Sequence, residues 1–291
     1  MCVRSSDGTL IDRIDLDEII GVTCYPHGST ISAALLAELA NRAIPFTVSN
    51  RKYEPIGILL PVVGNFEQSA RIESQINASI PMKKQIWSSI VKQKLRMQLL
   101  ALHVLELDSN QIVTLVKQVK SGDSTNCEAQ AARIYWKKFF GKDFRRNRDE
   151  PGINAFLNYG YSVLRSSVAR SLTSAGLNPS IGIFHRNNLN GMRLVDDLME
   201  PFRPLVDLRV HALIAEGHSE ISPVVKRALV DVLVTDVPHM RGTTPVSVAT
   251  QYSAISYVQT LKKLSNLIEY PLSNSHGLYA DFNQLPLWAK L

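Results

Sequence analysis

The sequence is poor in the features that mark secreted, zinc-knuckle and membrane proteins. It has three cysteines in 291 residues, and Cys2, Cys24 and Cys127 have neither the close spacing of a zinc knuckle nor the density of a disulfide framework. Its longest apolar run, 56–64, contains Pro61 and is too short to cross a bilayer. No charged and then apolar segment resembles a signal peptide. We therefore expect a reducing, cytoplasmic setting and no membrane partner.

The motifs of several common enzyme classes are also missing. The sequence has no Walker loop, no Gly-rich dinucleotide motif and no Ser-His-Asp arrangement, and it has no internal repeat or low-complexity segment. The composition is that of an ordinary globular protein, with 45% hydrophobic and 20% charged residues. A net charge of +6 and a pI near 9.2 mildly favour an acidic partner such as nucleic acid, although many basic proteins bind none.

The first part of the chain has the pattern of a small β-sheet. A turn signal at 6–9 between short alternating segments predicts a hairpin. Short β-branched segments at 19–25, 44–49 and 56–63 predict three further strands. Apolar residues at helical spacing over 29–43 predict a helix between the first two of these strands, with Ser29 or Thr30 as its cap.

The rest of the chain is predicted to be helical almost to its end. The expected helices span 82–107, 125–140, 153–175, 210–214, 224–234 and 246–270. Gly176 is placed to end the third of them. The predicted fold class is α+β: a small N-terminal β domain at 1–75, expected to mediate dimerisation, is followed by a larger all-α catalytic domain at 76–291. The tail after 270 is predicted to be a loose extension.

One stretch concentrates side chains that could hold a metal ion. His185 lies in a loop punctuated by proline and glycine, and Asp196, Asp197 and Glu200 follow it at the start of a predicted helix. With Glu128, this stretch offers carboxylate oxygens and an imidazole nitrogen, a mixed set that suits Mg²⁺ or Mn²⁺ better than structural Zn²⁺. Such a cation can polarise a phosphodiester and activate a hydroxyl nucleophile. Spacing alone does not single out these residues, because unrelated helical proteins supply similar sets.

Glu128 also has a purely structural interpretation. With Thr125 it fits the S/T-x-x-E capping box at the start of a helix, and this is the simpler interpretation of Glu128 from its own surroundings.

Basic residues are concentrated directly after that helix, where phenylalanines alternate with them. They are Lys137, Lys138, Lys142, Arg145, Arg146 and Arg148. A basic run with aromatic residues suits contact with a DNA backbone, and an ordinary charged loop is the alternative. Further basic side chains on the helix at 82–107 are assigned to its outer positions, either as a phosphate-facing stripe or as a solvated face. They are Lys83, Lys84, Lys92, Lys94 and Arg96.

Several motifs, in order and spacing, resemble the CRISPR-associated integrase family, the catalytic subunit of spacer acquisition, and most closely its members from type II systems. The motifs are EAQAAR at 128–133, NYGY at 158–161, GLNP at 176–179, GIFHRN at 182–187 and DLMEPFRP at 197–204. The resemblance runs from the N-terminal sheet to about residue 270. The family's fold is an N-terminal β domain joined to a helical catalytic domain, in agreement with the prediction made above from the residues.

The resemblance implies a metal-dependent DNA endonuclease and integrase of CRISPR adaptation. Such an enzyme joins the 3′-hydroxyl ends of short DNA fragments (protospacers) to the leader-end repeat of a CRISPR array by transesterification. Residue by residue, it implies that Glu128, His185 and Glu200 are the catalytic ligands of Mg²⁺ or Mn²⁺. It also implies supporting roles for Asp197, Tyr159 and Arg186.

The resemblance further implies partners. These are double-stranded DNA, as protospacer and CRISPR repeat, a second copy of the chain in a homodimer formed through the β domains, and a small second Cas protein that completes a heterohexameric complex. Two alternatives stand beside this interpretation. One is a catalytically silent DNA-binding scaffold of the same fold, and the other is a transposon-associated integrase homologue.

Overall fold

The computed structural model describes residues 1–19, 21–24, 28–50, 55–63, 65–185, 187, 189–265 and 268–271. The tail that was predicted to be a loose extension lies, from 272 onward, outside these residues.

The N-terminal part is a small β-rich unit, as predicted. Its elements are β1 (Cys2–Arg4), β2 (Leu10–Arg13), β3 (Val22–Cys24), α1 (Ala33–Asn41), β4 (Phe46–Ser49) and β5 (Pro55–Leu59). The first two strands form the predicted antiparallel hairpin. In the second sheet β4 is central, parallel to β3 and antiparallel to β5, so α1 is the crossover that parallel strands require.

This unit has its own small core. Ile19, Leu39, Ile44 and Phe46 are buried against one another. Helix α1 begins at Ala33 rather than at 29 or 30, because the Ser32 hydroxyl accepts a hydrogen bond from the Leu35 N–H (3.2 Å) and caps the helix.

The rest of the described chain is mostly helical. It contains α2 (Gln68–Asn77), α3 (Ile80–Val104), α4 (Asn110–Gln118), α5 (Cys127–Phe139), α6 (Ile153–Ser174), α7 (Arg193–Met199), α8 (Arg203–Ala215), α9 (Pro223–Val230) and α10 (Val246–Leu261), and a short pair of strands, β6 (Asp236–Val237) and β7 (Thr244–Pro245). The α+β fold class is therefore confirmed. Helices α2 and α4 and the pair β6–β7 were not predicted. The domain boundary at 75, which lies within α2, stays a prediction.

Two long helices organise the helical part. Helix α6 is buried along most of its length and packs against α7, α8, α9 and α10, whereas α3 packs against α4, α5 and α8. Helix α6 ends just before Gly176, as predicted; Gly176 has a positive φ of 64°, and the Leu177 N–H donates to the Leu172 carbonyl (2.9 Å). In the described residues no helix is both long enough and apolar enough to span a membrane.

Candidate active site

Glu128 lies in the first turn of α5, but it does not cap that helix. The carboxylate of Asp123 accepts hydrogen bonds from the N–H groups of Cys127 (2.9 Å) and Glu128 (3.0 Å) and supplies the cap instead. The Thr125 hydroxyl donates to the Gln118 carbonyl, so the predicted capping box is wrong. The Glu128 carboxylate is left to accept a hydrogen bond from Lys94 Nζ, which lies 2.7 Å from its Oε1.

Glu200 reaches the same ammonium group from another element. It begins the short 3-10 turn Glu200–Phe202 between α7 and α8, and its side chain is buried. Its Oε2 lies 2.6 Å from Lys94 Nζ, and its Oε1 lies 3.1 Å from Arg203 Nε. We call Lys94, Glu128, Glu200 and Arg203 the carboxylate–lysine cluster. Helices α3, α5 and α8 and the 3-10 turn each contribute to it.

The charges of the cluster stabilise one another. Burial opposes ionisation of Glu200, but the neighbouring Arg203 and Lys94 outweigh it and hold the pKa of this carboxyl at about 2. Burial likewise opposes the charge on Lys94, and the carboxylates of Glu200 and Glu128 nevertheless raise the pKa of its ammonium. Lys94, Glu200 and Arg203 are therefore charged together at neutral pH.

The position of Lys94 differs from the sequence-based prediction. Its side chain is 14% exposed and points into the protein, so its assignment to an outer position of α3 is wrong. A signal for this was present in the sequence. Lys94 continues, at helical spacing, the stripe of buried residues formed by Trp87, Val91 and Gln98.

His185 is held in place by a buried carboxylate. Asp197, in α7, is fully buried, and its Oδ1 lies 2.6 Å from His185 Nδ1. The same carboxylate accepts hydrogen bonds from the N–H groups of Ile183 (2.6 Å), Phe184 (3.1 Å) and His185 (3.3 Å). The hydrogen bond that His185 donates to the Asp197 carboxylate raises the pKa of the imidazole despite its partial burial. With Nδ1 bound to Asp197, Nε2 is the nitrogen left to contact a ligand.

Close packing fixes the loop that carries His185. The rings of Phe184 and Trp87 are stacked with centroids 4.3 Å apart, and Trp87 also contacts His185 edge to face at 5.9 Å. A side chain at Gly182 would bring its Cβ within 2.7 Å of the Arg193 Cβ and 3.1 Å of the Asp197 carboxylate. The loop can therefore approach Asp197 only because this residue is glycine.

An open cavity of about 680 Å³ joins His185, Glu200 and Lys94. Its lining is strongly basic, and it includes Arg146, Arg148, Arg165 and Arg203. Arg165 is paired with Asp196 (2.7 Å), and Arg146 donates to the side-chain oxygens of Asn154 (2.9 Å) and Asn158 (2.7 Å). The cavity therefore brings preorganised positive charge next to the two predicted ligands His185 and Glu200.

A buried network forms another wall of this cavity. The hydroxyls of Tyr135 (2.9 Å) and Tyr161 both donate to the Asp207 carboxylate, and burial raises the pKa of Asp207 to about 7. Arg203 lies over the Tyr161 ring, 4.7 Å from its centroid, which connects this network to Glu200. Tyr159 is buried and is not among the described residues that line the cavity. Arg186 lies outside the described residues.

The residues of the predicted basic run lie in three places. Only Arg146 and Arg148 line the cavity. Lys137, Lys138 and Lys142, which we call the lysine surface, line a separate hollow beside Asp108, and Arg145 is exposed elsewhere.

The aromatic residues of this segment pack on one another. Trp136 and Phe140 are stacked with centroids 5.9 Å apart, and Phe140 contacts Phe144 at 4.9 Å. They support the segment structurally.

The carboxylate–lysine cluster fits a divalent cation by its chemistry. It presents two carboxylates, and the buried Glu200 Oε2 has an ion pair with Lys94 but no aligned hydrogen bond. Together with an imidazole nitrogen, these oxygens form the mixed donor set that Mg²⁺ or Mn²⁺ accepts. Across the residues that the structure describes, no three His, Cys, Asp or Glu side chains meet in a ready-made metal cluster. The Lys94 ammonium lies between the two carboxylates.

Comparison with protein families and their members gives a consistent result. The family model described as CRISPR associated protein Cas1 matches residues 1–228. A protein of Neisseria meningitidis named CRISPR-associated endonuclease Cas1 is 38% identical over 224 residues, which cover 76% of this chain and 73% of that protein. A protein of Pyrobaculum aerophilum named CRISPR-associated endonuclease Cas1 2 is 30% identical over 219 residues, covering 70% of this chain and 73% of the relative.

Solved structures share the fold at low sequence identity. A casposase bound to integration product superposes with a TM-score of 0.76 and 22% identity over 93% of this chain and 85% of its own. A CAS1 protein from Thermotoga maritima gives 0.73 and 17% identity over 90% and 91%. A Cas6-RT-Cas1–Cas2 complex gives 0.75 and 19% identity over 93% of this chain and 34% of its own.

Proposed function

This chain belongs to the Cas1 family of CRISPR-associated proteins, and we propose that it is the metal-dependent DNA endonuclease and integrase of a CRISPR adaptation system. In this proposal it joins the 3′-hydroxyl ends of short DNA fragments to the leader-end repeat of a CRISPR array by transesterification. The proposed catalytic centre consists of Glu128, His185 and Glu200, and the cavity that His185 and Glu200 line opens beside it.

The observation that carries the proposal is the convergence of Glu128 and Glu200 on one point. They come from separate elements, and each lies within 2.7 Å of the same nitrogen atom, Lys94 Nζ. Burying two carboxylates side by side is unfavourable unless a cation lies between them. His185, oriented by Asp197, lines the cavity that Glu200 also lines. This arrangement supports a cation site at the edge of a basic cavity.

The proposed cation is Mg²⁺ or Mn²⁺, held by Glu128, His185 and Glu200. When bound, it would act as a Lewis acid that polarises the target phosphodiester and makes the attacking hydroxyl more acidic. Asp197 keeps His185 Nδ1 engaged and so directs Nε2 toward the ligand. Arg203 compensates the charge of Glu200 through its Oε1.

The cavity's arginines would position the DNA strand. Arg146 and Arg148 line its wall, and the hydrogen bonds to Asn154 and Asn158 fix the direction of the Arg146 guanidinium. Guanidinium groups bind phosphate oxygens in a defined geometry and stabilise charge that develops on them. In the transfer, the 3′-oxygen of the incoming fragment forms a bond to phosphorus and loses its proton. The bond to the 3′-oxygen of the target strand breaks, and that oxygen takes up a proton.

The proposal includes partners. We expect a homodimer formed through the N-terminal β-rich unit and a complex with the small second Cas protein. The fold likeness to a solved Cas6-RT-Cas1–Cas2 complex supports the second of these expectations, the complex with the small partner. Size-exclusion chromatography with light scattering, of the chain alone and with the small partner, tests it.

The joining reaction itself is the decisive test. A short 3′-hydroxyl duplex is incubated with a supercoiled plasmid that bears leader and repeat, the purified chain and its small partner, in Mn²⁺ and then in EDTA. We expect joining in Mn²⁺ with the wild type, and none in EDTA or with Glu128→Ala. The control is Glu220→Ala, which removes an exposed carboxylate outside the cavity lining and should leave joining unchanged.

The same assay separates the proposal from its alternatives. DNA binding by a folded protein without joining in any metal would favour a catalytically silent scaffold. Joining that is equally efficient with a plasmid lacking leader and repeat would favour an integrase that acts outside CRISPR arrays.

A further inference from the structure

We infer that Lys94 is an internal counter-cation, whose ammonium neutralises Glu128 and Glu200 when no divalent cation is bound and leaves this position when the cation binds. The inference rests on the proposed function, since it concerns the same two carboxylates. It adds to that function a positioning residue which sets how tightly the cation is held.

The contacts of Lys94 make it a competitor for the cation. Its Nζ lies 2.7 Å from Glu128 Oε1 and 2.6 Å from Glu200 Oε2, and these are the oxygens that would bind a metal ion. An ammonium and a divalent cation repel each other strongly at such distances in a poorly hydrated site. The Lys94 ammonium and a divalent cation therefore cannot contact these two oxygens at the same time. Binding of the cation has to displace Nζ.

The structure offers Lys94 a second position. Gln98 lies one helical turn further along α3, is 3% exposed and lines the same cavity. Its Oε1 is buried and has no hydrogen-bond partner among the described residues. Side chains on a helix lean toward its N-terminus, so the Gln98 amide lies over the turn that carries Lys94. A displaced ammonium would satisfy this buried carbonyl oxygen.

Arg203 is not suited to the same movement. Its Nε lies 3.1 Å from Glu200 Oε1, the other oxygen of that carboxylate, and its guanidinium lies over the Tyr161 ring. The ammonium of Lys94 is a compact charge on a flexible stem, whereas a stacked guanidinium is held in one orientation. Lys94 is therefore the cation that can move, and Arg203 is the one that stays.

The test compares Mn²⁺ affinities, measured by the electron paramagnetic resonance signal of free Mn²⁺. Lys94→Met keeps the length of the side chain and removes its charge, and we expect it to bind Mn²⁺ about tenfold more tightly or better. Lys94→Arg keeps the charge and should gain no affinity. Lys92→Met removes a charge from the same helix outside the cavity lining and should match the wild type.

Thermal unfolding gives a second readout that does not depend on activity. In EDTA, Lys94→Met should have a lower Tm than the wild type, because two adjacent carboxylates lose their shared counter-charge. Mn²⁺ should then raise the Tm of Lys94→Met by more than it raises that of the wild type. If Lys94→Met does not fold without metal, Lys94→Gln is measured in its place and is also expected to bind Mn²⁺ more tightly than the wild type.

Gln98→Leu tests the second position of Nζ. In the wild-type background it should weaken Mn²⁺ binding, because the displaced ammonium loses its acceptor. In the Lys94→Met background it should have no effect, so the two substitutions are coupled.

The outcomes distinguish this inference from the proposed function. If Lys94→Met binds Mn²⁺ no more tightly than the wild type, while the wild type joins DNA in Mn²⁺, the inference is overturned and the proposed function stands. If neither protein binds Mn²⁺ and neither joins DNA, both fail.

Discussion

The carboxylate–lysine cluster and the lysine surface differ in how far their charged side chains are exposed to water and how firmly they are paired. In the cluster, Lys94 and Glu200 are largely removed from water and held by ion pairs from three directions. On the lysine surface, Lys137 and Lys142 are exposed, and Lys138 is paired with Asp108, which is itself 57% exposed. Charges in the cluster therefore depend on specific partners and geometry. Those on the surface can supply only screened attraction for a polyanion.

The largest expected effect is on DNA joining, when one charge of the carboxylate–lysine cluster is removed by a substitution that keeps the size of the side chain. Glu200→Gln removes a negative charge from the proposed cation site, and we expect DNA joining in Mn²⁺ to fall by more than about 10²-fold. DNA affinity should change little, because the basic lining is intact. Joining rates and a filter-binding assay measure the two effects, with the exposed Glu216→Gln as control. Joining within a factor of about 3 of the wild type would remove Glu200 from the catalytic centre.

A loss of stability is expected when the Asp197 carboxylate, which accepts a hydrogen bond from His185, is removed. Asp197→Asn replaces a carboxylate that accepts hydrogen bonds from three backbone N–H groups and from His185. We expect the free energy of unfolding to fall by roughly 2–4 kcal/mol in urea titrations, because buried donors lose a charged acceptor. Joining should also fall by about 10- to 100-fold, since His185 loses its orientation.

The matched control for that substitution is Asp231→Asn, which changes an exposed aspartate in the turn after α9. Equal stabilities of the two variants would show that Asp197 does not hold the loop.

A smaller effect is expected in the pH dependence of stability. Burial raises the folded-state pKa of Asp207 to about 7, above its ordinary value of 3.8. Between these values the folded protein binds more protons than the unfolded chain, so this group's contribution to stability is full below pH 4 and is lost as the pH rises through 7. Asp207→Asn should remove this dependence, an effect of roughly 2–4 kcal/mol at most across the window.

Urea titrations at pH 5 and pH 8 measure this effect as the difference between the wild type and Asp207→Asn. A difference that does not change between the two pH values would contradict the raised pKa.

The smallest effect on stability is expected at the lysine surface. Replacing Lys137, Lys138 and Lys142 with Gln should leave the urea midpoint unchanged, since these charges have few fixed partners. If DNA binds to this surface, the slope of log affinity against log salt should become less steep by about 0.9 for each phosphate that the variant no longer neutralises. An unchanged slope would place the DNA elsewhere and leave the cavity arginines as its main binding groups.

The sequence predicted the features that depend on nearby residues. The hairpin and the end of α6 before Gly176 follow from turn and cap signals, and helix α1 follows from its apolar spacing. The structure confirms these three features, although Ser32 rather than Ser29 or Thr30 caps α1. A local motif also misled: Thr125 and Glu128 fit a capping box, but Asp123 caps α5. The turn before α5 brings the Asp123 carboxylate close enough to accept hydrogen bonds from two N–H groups at once, and the spacing of the motif does not reveal that.

Contacts between residues far apart in the sequence could not be predicted from local signals such as turns and caps. Tyr161 and Asp207 meet across 46 positions of the chain, and only the packing of α6 against α8 brings them together. Lys94 was assigned to the surface because lysine is usually exposed, although its spacing placed it on the buried stripe of α3. For Lys94, position in the helical repeat predicted burial better than residue type did.

The central claim is that Glu128, His185 and Glu200 hold one divalent cation. Crystals of the protein grown in Mn²⁺ and measured near the manganese absorption edge test it directly. We predict a single anomalous peak in contact with both carboxylates and with His185 Nε2, and Lys94 Nζ moved away toward Gln98. Diffraction of good quality with no anomalous peak at this position, or with Mn²⁺ bound only elsewhere, would contradict the account.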